Sequence, residues 1–169
     1  MLLEFTSMSE EQCRRLTREI YMEGCVVNAR YFHPNAEGLT EAIKEQEEYH
    51  VNFLMRQFMP KEENSYYVLE EEGQWVSALR LTKVENFYYL EALETPVEQR
   101  RKGYGAKLIK EVIDLLKAQG SAIIRCNVKK DNVASLATHR KCGFIVENDP
   151  AINYLTDESR TDCVGLLYQ

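Results

Sequence analysis

The sequence lacks the features that mark a disulfide-stapled, zinc-bound or membrane-spanning protein. Its cysteines number five, are widely scattered and include no C-x-x-C pair, which argues against a disulfide framework and a closed zinc site. No apolar run is long enough to cross a bilayer, and the first residues lack the basic start and apolar stretch of a secretory signal. We therefore expect a cytoplasmic protein with no metal and no membrane partner. The cysteines are expected to be small buried hydrophobic residues: Cys13, Cys25, Cys126, Cys142 and Cys163.

The composition is that of an ordinary globular chain. At 169 residues, with 44% hydrophobic and 28% charged residues, the chain is about one domain long and can bury a substantial core. No internal repeat, low-complexity tract or linker divides it. We therefore predict a single domain over residues 1–169.

The net charge of −6 is unevenly distributed. Residues 100–141 hold 11 Lys and Arg against 3 Asp and Glu, whereas the remainder holds 10 against 24. A basic segment in an acidic chain favours a local anionic ligand over a nucleic-acid groove, so no nucleic-acid partner is expected. A solvated basic face explains the charge equally well.

Hydrophobic periodicity predicts four helices. The first begins at the Ser9 capping box and is expected to end near Gly24, followed by a loop over residues 28–38. The second runs from about Leu39 to Phe58. A third follows Gly103, and a fourth follows Asn132.

Short runs rich in branched and aromatic residues predict seven strands around these helices, at residues 2–5, 66–69, 75–81, 87–93, 122–128, 144–146 and 163–168. The runs at 66–69, 75–81 and 87–93 are close enough to pair as antiparallel neighbours, whereas a strand–helix–strand unit follows them. The fold class is therefore α/β (α+β), with a mixed, mostly antiparallel sheet of about seven strands flanked by about four helices.

The segment from Leu93 to Leu108 carries the clearest chemistry. A strand ends, a basic turn with two glycines follows, and a helix begins at once. Helix starts expose unpaired N–H groups and the positive end of the macrodipole. Gly103 and Gly105 lack a Cβ, so a phosphate can approach those amides closely. A surface turn with solvated basic residues is the alternative. Neither a P-loop nor a complete G-x-G-x-x-G after a strand is present.

This segment resembles the GCN5-related N-acetyltransferase (GNAT) superfamily. The signature Gln/Arg-x-x-Gly-x-Gly/Ala matches residues 100–105, and a second pattern matches Asn132 followed by the run from His139 to Phe144. The resemblance is specific from about Phe87 to Phe144 and only topological before that. It implies a GNAT-like acyl-CoA N-acyltransferase fold with acetyl-CoA as co-substrate and an amine as acceptor.

The resemblance also implies binding roles. The turn would bind the CoA pyrophosphate, the pantetheine arm would lie along the preceding strand near Leu93, Thr95 and Val97, and Asn132 would bond the arm from the other side. The turn residues are Arg100, Arg101, Lys102, Gly103, Tyr104, Gly105 and Ala106. In the family a tyrosine that can protonate the departing thiolate occupies the position of His139. An imidazole can donate a proton near neutral pH, but His139 can equally be a structural helix residue.

Two glutamates are candidate bases for the acceptor amine. Glu91 and Glu94 are three positions apart, so they face opposite sides of a regular strand. We favour Glu91, because a mid-strand charge is costly unless it faces a cleft. Cys126 and Cys142 have no adjacent base and are expected to pack rather than carry an acyl group. The tyrosines of the central strands, Tyr66, Tyr67, Tyr88 and Tyr89, either line an acceptor pocket or pack in the sheet.

The acceptor itself leaves no motif. An acidic group of residues could attract a cationic amine or could be a solvated face: Glu45, Glu47, Glu48, Glu62 and Glu63. The leading hypothesis is an acetyl-CoA-dependent N-acetyltransferase that is a monomer or homodimer and works by direct attack in a ternary complex. Two alternatives stay open, namely a catalytically weak acyl-CoA-binding regulatory module and a protein-interaction domain whose basic turn is only surface.

Overall fold

The structure is a computed structural model that describes residues 1–35 and 37–169. The strands are β1 (Leu2–Phe5), β2 (Asn64–Glu71), β3 (Gln74–Val84), β4 (Phe87–Glu94), β5 (Ile124–Lys129), β6 (Ile145–Asn148), β7 (Ala151–Ile152), β8 (Ser159–Arg160) and β9 (Cys163–Tyr168). The α-helices are α1 (Glu10–Leu16), α2 (Met22–Phe32), α3 (Leu39–Phe53), α4 (Tyr104–Ala118) and α5 (Val133–Lys141). A π-helical turn, Thr17–Tyr21, joins α1 to α2, and a second, Leu54–Phe58, extends α3.

Seven strands form one sheet in the order β1-β2-β3-β4-β5-β9-β6. Every neighbouring pair is antiparallel except β4 and β5, which are parallel and are joined by α4. The predicted mixed, mostly antiparallel sheet and GNAT-like fold are therefore confirmed.

Two hydrophobic cores lie on opposite faces of this sheet. One face carries α4 and is filled by residues such as Leu79, Leu90 and Ile109. The other carries α1 and α3 and is filled by residues such as Leu16, Leu54 and Tyr66. Alternate residues of a strand point to opposite faces, so β2 and β3 contribute to both cores. We call these the α4 face and the α1/α3 face.

The prediction that the first helix ends near Gly24 is wrong. The helical stretch continues to Phe32, so the predicted loop over residues 28–38 is shorter than expected. Gly24 lies inside α2, where it costs about 1 kcal/mol relative to alanine. Burial of Cys25 and Ala29 stabilises this part of the helix, which shows tertiary packing overriding local propensity.

Residues 149–162 connect β6 to β9. They contain a short hairpin of β7 and β8, and Tyr154 packs against Phe87 and Tyr89. None of the helices within residues 1–35 and 37–169 combines the length and apolar character needed to span a bilayer.

Candidate active site

The site lies where β4 and β5 separate. Their parallel pairing includes Tyr88 with Ile124 and ends at Leu90 with Cys126, although β4 continues to Glu94 and β5 to Lys129. A cavity of about 200 Å³ lies in this gap and is bounded by both strands and by α5. Its walls include Leu93, Asn132 and His139. The gap gives a ligand access to the edges of two central strands.

A larger cavity of about 650 Å³ adjoins the start of α4. Within the part of the chain that is described, no side chain caps this helix, and the first N–H that bonds backward belongs to Lys107, which donates to the Gly103 carbonyl at 2.9 Å. The amides of Tyr104, Gly105 and Ala106 therefore have no intrahelical partner. Gly103 has φ +84°, a conformation that favours glycine. Backbone donors and the helix dipole form a site suited to a phosphate.

Most of the predicted cofactor-binding residues line this larger cavity. They are Leu93, Thr95, Arg100, Arg101, Gly103, Tyr104, Gly105, Ala106 and Asn132. Val97 and Lys102 are not among its lining residues: Val97 is exposed in a short 3-10 turn, and the Lys102 ammonium bonds to Gln99 Oε1 at 2.8 Å. Leu93 and Asn132 border both cavities.

The two arginines of the turn differ in their contacts. The Arg100 guanidinium donates to the Thr95 carbonyl at 2.9 Å and to Glu94 Oε1 at 3.1 Å, and it also pairs with Glu23. Arg100 therefore ties the turn to β4 and α2. Arg101 is exposed, and its backbone adopts a left-handed conformation with φ +64°. Arg101 is thus the arginine better placed to add positive charge beside the free amides.

Asn132 caps α5. Its Oδ1 accepts from the Ser135 N–H at 3.1 Å, so its amide NH₂ group is left for a ligand between the two cavities. Sequence reasoning missed the residues with which α5 and the turn complete the larger cavity: Gln99, Ala134, Ser135, Thr138 and Lys141. Small side chains on one face of a short helix are the signal that could have found Ala134, Ser135 and Thr138.

An irregularity in β4 orients a peptide at the gap. Ala92 has φ +51°, and the register with β3 shifts between Arg80–Glu91 and Ala78–Glu94. The Tyr21 hydroxyl donates to the Ala92 carbonyl at 2.7 Å. Burial raises the pKa of Tyr21, so the hydroxyl keeps its proton. Because a trans peptide is planar with C=O and N–H antiparallel, this contact directs the next N–H, that of Leu93, away from the Tyr21 hydroxyl.

The same irregularity changes the orientation of the candidate bases. Glu91 and Glu94 pair in register with Arg80 and Ala78, which are two residues apart and therefore share a face. The expectation that the glutamates face opposite sides is wrong, because β4 contains an extra residue at Ala92. Glu91 Oε2 lies 3.4 Å from an Arg80 nitrogen, whereas Glu94 is bound by Arg100.

His139 is almost fully buried and borders the smaller cavity. Its Nδ1 lies 2.8 Å from the Ser135 carbonyl, which can only accept, so Nδ1 carries the proton. Nε2 is then an acceptor in the neutral ring, and it has no partner among the described residues. Burial lowers the pKa of His139, and the bond to Ser135 opposes that effect. An acid role therefore requires a charged form that burial disfavours.

The remaining candidates are mostly structural. All five cysteines are buried, and burial raises the pKa of both Cys126 and Cys142. Tyr66, Tyr67 and Tyr89 are buried in the sheet, as the packing alternative requires. In the acidic group, Glu47 pairs with Arg18 and Glu48 with Arg14, whereas Glu45, Glu62 and Glu63 are exposed.

Comparison with known families decides the membership. The sequence model of the Acetyltransferase (GNAT) family matches residues 30–144. The chain belongs to the GNAT family. This match confirms the resemblance to the family, and it makes this GNAT protein an acyltransferase that takes its acyl group from a CoA thioester. The free amides of α4 and the adjoining cavity fit the pyrophosphate of that co-substrate.

Solved structures share the fold. The PaiA N-acetyltransferase from Thermoplasma acidophilum, solved with coenzyme A, matches with a TM-score of 0.64 at 17% identity, covering 100% of this chain and 99% of that chain. The spermidine N-acetyltransferase from Vibrio cholerae, solved with CoA and spermine, matches with a TM-score of 0.62 at 14% identity, covering 99% and 94%. The ribosomal-protein-S18-alanine N-acetyltransferase from Escherichia coli matches with a TM-score of 0.59 at 14% identity, covering 99% of this chain and 92% of that chain. A search of curated protein sequences gives no significant match.

Proposed function

We propose that this GNAT protein is an N-acetyltransferase that moves the acetyl group of acetyl-CoA to an amine by direct attack in a ternary complex. One observation carries the proposal: unpaired amides at the start of α4 border a cavity that adjoins the gap between β4 and β5. This arrangement would hold the phosphate end and the thioester end of an extended molecule at separate, adjacent positions.

Acetyl-CoA supplies an acyl group on a good leaving thiol. The amides of Gly103 to Ala106 and the positive charge of Arg101 would hold its pyrophosphate, and the edge of β4 and the Asn132 amide would hold its arm. The binding groups belong mostly to the backbone and are fixed by α4 before any ligand arrives, which lowers the cost of ordering on binding.

Three groups near the gap would contact the reacting molecules. The Leu93 N–H, oriented through the Tyr21 contact, would donate to the carbonyl oxygen as negative charge develops there. Glu91, with its side chain 24% exposed, would accept the proton of the amine. His139 would accept a hydrogen bond through Nε2 in its neutral form. The acid role predicted for His139 stays a prediction.

Amines are the acceptors named for the neighbours of similar fold: spermidine in one and a protein alanine in another. A shared fold at 14% identity does not show that this chain uses either acceptor. We therefore propose only the chemical class, an amine, for the acceptor of this chain.

A catalytically weak CoA-binding module is the second candidate. The observation that favours it is the neutral His139 ring, which stands where the family has a proton-donating tyrosine and cannot donate from Nε2.

The experiment is a two-part assay. Isothermal titration with acetyl-CoA measures binding, and mass spectrometry of an amine library incubated with acetyl-CoA measures transfer. We expect binding together with N-acetylation of at least one amine class. Binding without acetylation of any amine would favour the module. Absence of binding would reject both and leave the interaction domain.

A further inference from the structure

Arg80 on β3 is unusual among the arginines of the described chain that form ion pairs. Its side chain is the least exposed of them, at 20%. The others, Arg14, Arg15, Arg18, Arg100, Arg125 and Arg160, each donate a hydrogen bond to a carboxylate. Arg80 donates none of acceptable geometry within residues 1–35 and 37–169, and its Nε is buried without a partner. The Tyr66 hydroxyl lies beside it: burial raises the pKa of Tyr66, and the Arg80 charge opposes that rise. A partly buried guanidinium has five N–H donors, and donors without an acceptor in the protein can bind a ligand.

Aromatic side chains fix the position of this guanidinium. Its carbon lies 5.2 Å from the ring centre of Phe53 and 5.0 Å from that of Phe58. Such contacts stabilise the cation without using its N–H groups. The fork therefore stays available for a planar oxyanion, which an arginine binds through two parallel hydrogen bonds.

Glu91 places the opposite charge beside it. The two residues are in register on neighbouring strands, and Glu91 Oε2 lies 3.4 Å from an Arg80 nitrogen without a hydrogen bond of acceptable geometry. Both side chains are partly exposed, at 20% and 24%. Burial and the nearby Arg80 charge lower the pKa of His50 to about 4, so this adjacent imidazole is neutral near pH 7. The local field is thus one positive and one negative group side by side.

We propose that Arg80 and Glu91 form the acceptor site and that the acceptor is a free α-amino acid. Its carboxylate would bind the Arg80 fork, and its ammonium would bind beside Glu91. In a zwitterionic amino acid the negative carboxylate and the positive ammonium are about as close together as the charges of Arg80 and Glu91. Each charge of the amino acid can therefore face the opposite charge of the protein. Glu91 directly precedes Ala92, so the nitrogen would stand at the gap where the Leu93 N–H is oriented.

This assignment rests on the proposed N-acetyltransferase activity and adds the substrate class. In the reaction, the ammonium first gives one proton to Glu91, which passes it to solvent. The free amine nitrogen then forms an amide bond to the acetyl carbon, the carbon–sulfur bond breaks, and a second proton leaves the nitrogen and ends on the departing thiolate. The products are an N-acetylamino acid and CoA as the thiol. No oxidant or further reactant is needed.

The test compares proteinogenic amino acids with their decarboxylated amines and their methyl esters, using acetyl-CoA as donor. In the wild type we expect kcat/KM for the best amino acid to exceed that for its decarboxylated amine about tenfold or more, which corresponds to lost hydrogen bonds to a charged group. Arg80→Met should remove that preference by raising KM for the amino acid. Arg80→Lys, which keeps the charge but loses the fork, should restore it only in part.

The matched control is Arg125→Met. Arg125 also lies over aromatic rings, those of Phe87 and Tyr154, and pairs with Glu147, but it lies on β5 outside the proposed site. It should keep the wild-type preference. Decarboxylated amines used as well as amino acids, or an unchanged ratio in Arg80→Met, would overturn the assignment.

A binding measurement separates this assignment from the proposed activity. Amino acids are titrated into the CoA complex and thermal stabilisation is recorded. If no amine of either class is acetylated, the proposed activity fails, and the titration still decides the site. Stabilisation of the wild type but not of Arg80→Met supports the site, and equal behaviour of both proteins rejects it.

Discussion

The two faces of the sheet offer a ligand different kinds of binding group. On the α4 face, consecutive backbone amides from Gly103 to Ala106 lie at one helix start. We call these amides the cradle. On the α1/α3 face, the groups beside β4 are side chains from separate elements, with Tyr21 from the first helical stretch, Arg80 from β3 and Glu91 from β4. Backbone donors are independent of side-chain identity, so the cradle suits a constant co-substrate and the side-chain face suits a variable acceptor.

The largest effect should come from filling the cradle. Gly105→Val places a branched side chain where a Cβ would already lie 3.4 Å from Thr95 Oγ1 and beside the amides. We expect CoA affinity to fall at least about hundredfold, since two or more hydrogen bonds to a charged group are lost. Gly103→Val should do the same and also strain the left-handed backbone. Isothermal titration with CoA measures both.

Gly24→Ala is the control for these variants. Gly24 lies within α2, and the position that a Cβ would occupy there has no neighbouring atom within 4 Å. Alanine should therefore keep CoA affinity and stabilise the helix by about 1 kcal/mol. Retained affinity in both Gly103→Val and Gly105→Val, with native circular dichroism, would contradict the cradle.

The next effect concerns the opposite face. Tyr21→Phe removes the donor to the Ala92 carbonyl, so the Leu93 N–H loses its fixed orientation. We expect kcat to fall about tenfold, less than when an oxyanion donor is deleted outright, with little change in KM for acetyl-CoA. Steady-state kinetics with a saturating acceptor separate the two constants.

Tyr66→Phe is the matched comparison. Tyr66 is a buried neighbour whose ring centre lies 6.2 Å from that of Tyr21, and its hydroxyl forms no hydrogen bond of acceptable geometry with the described residues, the Ala92 carbonyl included. The variant should keep kcat. Equal losses in both variants would mean that packing, and not the hydrogen bond to Ala92, is responsible.

A third contrast is in pH dependence. The Thr17 hydroxyl donates to the Cys13 carbonyl and therefore accepts from His50 Nδ1 at 2.9 Å. Burial, followed by the Arg80 charge, lowers the pKa of His50 from 6.5 to about 4. Between about pH 6.5 and about pH 4, His50 therefore binds a proton in the unfolded chain but stays neutral in the folded chain. Its contribution to the free energy of unfolding is complete above about pH 6.5 and is lost as the pH decreases to about 4.

We expect His50 to account for about 3 kcal/mol of that acid loss, and His50→Gln to remove this part of the slope. Urea unfolding at a series of pH values provides the measurement. His33→Gln, which changes an exposed histidine, is the control variant. An identical slope in wild type and His50→Gln would show that other groups govern the acid side.

The smallest effect is expected at His139. Because its neutral ring presents an acceptor at Nε2, His139→Ala should lower kcat less than about tenfold. The rate is measured at saturating acetyl-CoA on protein whose folding has been checked by its thermal transition. A loss of several hundredfold would establish the ring as an essential acid and bring the α4 face into the proton transfer.

The sequence predicted the α4 face better than the α1/α3 face for a physical reason. The glycines, the basic residues and the helix period that form the cradle are consecutive, so their arrangement is local. Lys102 and Val97 show the limit, because the direction of a side chain in a turn depends on neighbours such as Gln99.

The α1/α3 face depends on contacts between distant segments. Local propensity ended the first helix at Gly24, although tertiary packing carries it to Phe32. Regular strand alternation predicts Glu91 and Glu94 on opposite faces. The prediction fails because the extra residue at Ala92 leaves no signal in the local sequence. Arg80 was not distinguished at all, since its unused donors become evident only when Phe53, Phe58 and Glu91 are around it.

We propose above all that backbone amides at the start of α4 bind the CoA pyrophosphate. Amide proton–nitrogen NMR during a CoA titration tests it residue by residue. We predict that the largest shifts, saturating with the calorimetric affinity, fall on Gly103, Tyr104, Gly105 and Ala106. Unchanged amides there, with shifts confined to the α1/α3 face, would contradict it.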